Sequence, residues 1–109
     1  MGTVTPISRA RFAVGDLVEH RLFGYRGVIV DVDPRFNATD EWYEAMATSR
    51  PPKDKPWYHV LVDGTAHSTY VAERNLDADD SAVPIRHPLL EQFFVRLEGG
   101  RYVSHGRAN

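Results

Sequence analysis

Hydrophobic and polar residues change their spacing several times along this chain, and each change predicts an element. Residues 1–10 hold Gly2, Pro6, Thr and Ser without periodicity and are expected to form a flexible lead-in. Phe12-Ala13-Val14-Gly15-Asp16 then gives an apolar pair followed by a turn. Over residues 17–22, Val18, His20 and Leu22 face one way and Glu19 and Arg21 the other, the two-residue period of a strand. Phe23-Gly24-Tyr25 reads as a tight connection in which Gly24 takes a positive φ. Residues 26–33 are the clearest strand, with Val28, Val30 and Val32 on one face and Ile29, Asp31 and Asp33 on the other. Pro34, which cannot donate to a ladder, ends it. The two strands make a hairpin.

Over residues 39–48 the period becomes helical. Thr39 is the predicted N-cap, Asp40 and Glu41 suit the first turn, and Trp42, Ala45 and Met46 share a face. Arg50-Pro51-Pro52 stops this helix, and a polar loop follows to Pro56. Residues 57–62, mixed on both faces, predict a central third strand. Asp63-Gly64 opens a turn, residues 68–73 a fourth strand, and a brief turn at Asn75-Leu76 returns Leu76 to the core before an acidic surface loop over 77–80. In the tail, Pro88 begins a short helix over 88–94. Its stripe of Leu89, Leu90, Phe93 and Phe94 must dock on the chain's own sheet or on a second copy. Gly99-Gly100 breaks the chain before a last strand at 101–103.

Short, closely spaced strands with glycine turns predict a mainly β protein, a small bent barrel of about five strands with a helical insertion and a short C-terminal helix. The expected organisation is a lead-in (1–10), a barrel domain (11–80) and a C-terminal helical extension and tail (81–109). The 109 residues suffice for one core. The chain contains no cysteine, so disulfides and thiolate metal sites are excluded. Met1–Ala10 lacks a signal-peptide apolar run, and no stretch reaches the roughly 20 residues of a membrane span, so a cytoplasmic protein with no membrane partner is expected. A net charge of −2 argues against a protein devoted to gripping phosphate backbone. The charge is uneven: Arg9, Arg11, Arg21 and Arg26 make the start basic, while residues 31–44 and 77–80 are acidic.

Three blocks carry a resemblance. Phe12-x-Val14-Gly15-Asp16-x-Val18-x-His20-Arg21-x-Phe23-Gly24-Tyr25-Arg26-Gly27-Val28-Ile29-Val30-Asp31-Val32-Asp33-Pro34 resembles the opening of the heat shock protein HspQ family, also called the YccV-like or hemimethylated-DNA-binding family. Trp42 and Pro56-Trp57-Tyr58-His59-Val60-Leu61-Val62 continue it, and Tyr70-Val71-Ala72-Glu73-x-Asn75-Leu76 completes it. The resemblance, over roughly residues 12–76, implies an SH3-like barrel without enzymatic activity. It further implies hemimethylated-DNA binding, an adaptor or enhancer role for the ATP-dependent Lon protease, heat inducibility and homo-oligomers.

The residues themselves supply no catalytic set. None of His20, His59, His67, His87 and His105 stands at a spacing that brings two imidazoles to one metal, and His20 and His59 read as core histidines. Asp31 and Asp33 project the same way but have no nucleophile beside them. No phosphate loop, nucleophile elbow or zinc motif is present, so neither a catalytic residue nor a cofactor nor a metal is expected. Arg21, Phe23, Tyr25 and Arg26 at the hairpin turn, with Trp57 and Tyr58 opening the third strand, are the candidate partner-binding residues, because aromatics beside arginine stack bases or clamp peptides. The competing reading makes these aromatics core fillers, with Arg21, Tyr25 and Arg26 the most exposed. Leu89, Leu90, Phe93 and Phe94 are the candidate oligomer contact. Two functions follow: a protein-interaction module acting on a Lon-type protease, or a DNA-binding protein using the arginines of residues 9–26.

Overall fold

A computed structural model describes residues 9–105. The lead-in expected over 1–10 and the end of the tail lie largely outside these residues. The chain is mainly β, as its periodicity predicts. Strands β1 (Leu17–His20), β2 (Arg26–Asp33), β3 (Trp57–Val62), β4 (Ser68–Ala72) and β5 (Leu76–Ala78) form one antiparallel sheet in the order β4-β3-β2-β1-β5. A 3-10 turn, Glu73–Asn75, carries the chain from β4 at one edge to β5 at the other. Among the described residues no ladder joins β4 to β5, so the bent sheet stays open at that seam.

The predicted strands are found with three differences. The first strand ends at His20, and Leu22, expected on the inner face, is 60% exposed in the turn. Residues 76–78, expected as a turn entering a loop, pair with β1 through His20↔Leu76 and Val18↔Ala78. Three residues are too few to show a period, and Asp77 faces outward while Leu76 is fully buried. In β2 a bulge between Ile29 and Asp31 inserts Val30 as an extra residue against β3. The alternation therefore slips: Val28 and Val30 stay on one face, and Val32 turns to the other with Ile29.

Both faces of the sheet are covered. Phe12, Val18, Ile29, Tyr58, Val60, Val71 and Leu76 pack together on one side. Leu17, Val28 and Leu61 on the opposite side pack with Ile85, Phe94 and Tyr102. The last two belong to a separate hairpin of β6 (Phe94–Glu98) and β7 (Arg101–Ser104), whose Gly99-Gly100 turn has positive φ at both positions. Only Leu90–Phe93 is helical (α2), not the whole of 88–94, and Phe94 lies in β6. Gly15 seats the hairpin: Tyr102 donates its N–H to the Gly15 carbonyl at 2.9 Å, and a Cβ at Gly15, whose φ is +98°, would collide with the Tyr102 backbone.

The insertion helix α1 (Asp40–Met46) begins as predicted, the Thr39 hydroxyl accepting the Trp42 N–H at 3.0 Å. Its inward face differs from the expected Trp42–Ala45–Met46 stripe. Tyr43 and Ala47 are buried against Trp57 and Ala72, Trp42 is half-buried, and Ala45 and Met46 face outward. The Tyr43 hydroxyl also reaches the Pro51 carbonyl at 2.8 Å, and this tie to the returning loop sets the helix's rotation.

Candidate functional site

A groove of about 340 Å³ lies where the β1–β2 turn, the C-terminal half of α1 and β4 meet. Leu22, Phe23 and Tyr25 come from the turn, Trp42, Met46 and Ala47 from the helix, and Ser68 to Ala72 from the strand. Its rim carries large apolar side chains open to solvent: Leu22 at 60%, Phe23 at 73% and Met46 at 64% exposure. No lysine, arginine, aspartate or glutamate lines it.

One wall is a strand edge. Val62 donates to His67 and Glu73 to Pro56, which makes these two positions hydrogen-bonded pairs of the β3–β4 ladder. Antiparallel alternation then turns the backbone groups of Ser68, Tyr70 and Ala72 away from β3. Ala72 is buried beneath α1, so Ser68 and Tyr70 supply the open edge. Opposite, His20 is 5% exposed; its Nδ1 accepts the N–H groups of Leu22 and Phe23, each at 3.1 Å, and fixes the turn. Burial holds this imidazole below its ordinary pKa. The turn is clasped to β4 by a 2.8 Å hydrogen bond between the hydroxyls of Tyr25 and Thr69. Burial raises the Tyr25 pKa, against the opposing effect of that bond.

The six candidate partner-binding residues part company here. Phe23 and Tyr25 line the groove. Arg21 is exposed beside it, paired with Asp77 at 3.5 Å and donating to the Arg74 carbonyl at 3.1 Å. Arg26, expected exposed at the tip, is instead a structural clamp: its side chain reaches Asp79 at 2.7 Å, Asp63 at 3.2 Å and the Val83 carbonyl at 2.6 Å. Burial works against the Asp79 carboxylate, yet the Ser81 N–H and Arg26 hold its pKa below the usual value. Trp57 and Tyr58, at 1% and 0% exposure, are core fillers because β3 is covered on both faces. Of the expected tail stripe, Phe94 is buried, Leu90 packs on the same core, and Leu89 and Phe93 remain partly open. Residues 20, 22, 42, 46, 68 and 70 were not among the candidates. They come together from β1, the turn, α1 and the edge strand β4, a juxtaposition that no local spacing encodes.

Asp31, Asp33 and His59 bring one ligand atom each within 4.8 Å of one another at the β2–β3 margin. A carboxylate–imidazole set of this kind suits a divalent cation of intermediate hardness. Asp33 is already engaged, accepting Tyr70 O–H at 2.6 Å and lying 3.3 Å from His59 Nε2. Burial and Asp33 together raise the Tyr70 pKa well above its ordinary value. His59, expected in the core, is half-exposed: it pairs with Asp31 and Tyr70 inside the sheet, and its side chain lines the groove.

The described basic side chains are largely committed to carboxylates. Arg21, Arg26, Arg50, Lys53, Arg86, Arg96 and Arg101 all stand in ion pairs. No described helix is long and apolar enough to cross a membrane. Compared with known families, residues 10–101 match the one described as hemimethylated DNA-binding protein YccV like.

Proposed function

The chain belongs to the YccV-like family, and from that premise we propose that it is a non-enzymatic cytoplasmic binding protein whose partner is another protein. Its proposed role is that of an adaptor or specificity enhancer for an ATP-dependent protease of the Lon type. The observation that carries protein binding is the uncharged, apolar-rimmed groove laid against an open strand edge, the surface to which extended peptides add. The Lon-type protease enters through the family resemblance. A reconstituted degradation assay with purified Lon and a folded substrate tests it: adding this protein should change substrate turnover. Turnover that is the same with and without it removes the adaptor role.

The family's description favours a second reading, binding of hemimethylated duplex DNA. Against it weigh the net charge of −2 and the pairing of Arg21 and Arg26 with carboxylates, which would have to exchange partners to reach phosphate. Titrating hemimethylated and fully methylated duplexes at two salt concentrations decides this reading. Genuine phosphate contacts weaken steeply with salt, and a salt-independent or absent response removes DNA from the list.

A further inference from the structure

His20 is held on one side only. With Nδ1 accepting two backbone N–H groups, its proton resides on Nε2. Among the described residues Nε2 has no hydrogen-bond partner, and no buried side-chain nitrogen or oxygen lacks both a partner and solvent. That N–H therefore reaches solvent, and the ring that carries it lines the groove. The ring is locked in place: Phe23 stacks on it at 4.5 Å and 18°, and Tyr25 lies at 5.0 Å. A donor of fixed direction set beside Leu22, Phe23 and Met46 can orient a ligand in the groove.

The geometry points to a docking site for an uncharged, extended peptide segment of a partner protein, whose backbone carbonyl accepts the His20 Nε2–H. An apolar side chain of that segment lies against Leu22, Phe23 and Met46, and its backbone pairs with Ser68 and Tyr70. Charge selects this occupant: a groove without cationic side chains offers no counter-ion to a phosphate chain, and one without acidic side chains offers none to a basic peptide. The strand edge supplies the main-chain donors and acceptors that an extended segment requires. The inference rests on the protein-binding reading of the groove, but not on a protease being the partner.

The test uses the full-length chain, labelled with nitrogen-15, and the blocked peptide acetyl-Thr-Val-Phe-Val-Thr-amide as probe. Imidazole nitrogen spectra should show His20 protonated at Nε2. The peptide should shift that signal together with the amides of Phe23, Ser68 and Tyr70. In His20→Asn the side-chain oxygen takes the place of Nδ1 as turn acceptor, while the amide nitrogen sits at the place of Cδ2, short of the Nε2 position, so affinity should fall about tenfold. Phe23→Ser, at an exposed site where folding is little affected, should also weaken binding severalfold. A proton on Nδ1, shifts confined to another surface, no binding at millimolar peptide, or wild-type affinity in both variants would each overturn the inference. So would a short DNA duplex that moves these signals when the peptide does not. Peptide binding without any effect on Lon turnover would refute the adaptor role and leave the groove standing. A changed turnover with no peptide in the groove would do the reverse.

Discussion

Tyr58 joins three parts of the chain through one oxygen. Its hydroxyl accepts the Phe12 N–H at 3.2 Å and donates to Glu73 at 2.6 Å, and Glu73 also accepts the Arg11 N–H at 2.7 Å. Burial, followed by the Glu73 carboxylate, pushes the phenol pKa well above its ordinary value, so it stays a donor at any physiological pH. Tyr58→Phe would strand the buried Phe12 N–H and should cost about 1–3 kcal/mol in urea denaturation. His20 predicts a pH effect of definite sign. Its folded pKa is depressed below 6.5, so the unfolded chain binds more protons. The stability it contributes is complete above pH 6.5 and declines as pH falls toward its folded pKa, while His20→Asn should lack that component of the pH profile. Such residue roles were only partly legible. Val18 beside His20 marked a buried histidine, but nothing in the spacing marked His20's free nitrogen, because the turn that captures its other nitrogen folds back from three residues on.

At the scale of elements, local signals performed where the chain itself supplies the structure. Thr39 caps its helix, Gly24 takes φ +76°, and residues 26–33 form β2 at the expected bounds. They failed where distant partners decide. The Val30 bulge answers to β3, β5 exists because β1 offers an edge, and the groove appears only once Tyr25 reaches Thr69. Phe94 is the instructive miss: four apolar residues within a six-residue stretch read as a helical stripe, yet one of them is the anchor of a hairpin covering Val28 and Leu61. Phe94→Ala should cost about 3–5 kcal/mol, seen as a lowered melting temperature. Unchanged melting would mean that the hairpin adds little to the fold.

For the whole molecule, the apolar side chains left exposed include those at the groove and at the tail. Leu89 and Phe93 are 38% and 37% exposed, and Val95 beside them is 51% exposed. If copies associate through the tail, the Leu89→Ser, Phe93→Ser double variant should sediment as a smaller species than the wild type at micromolar concentration. Equal masses would exclude that face. The amides of Ser68 and Tyr70, on an edge without a neighbouring strand, should exchange with deuterium faster than those of Val60 within the ladder, and mass spectrometry after brief labelling would show it. The mainly β fold was legible from strand number and turn chemistry; the open order β4-β3-β2-β1-β5 was not, since closure depends on how far a sheet bends.

A sheet stitched shut by peptide groups can be parted only by unzipping several of them at once. Here a single pair of hydroxyls, Tyr25 and Thr69, bridges the gap between the turn and β4. Breaking that bond would free the side of the turn facing β4 while Arg21 still holds its base to the carbonyls of Arg74 and Asn75, and the ladders behind it keep their pairing.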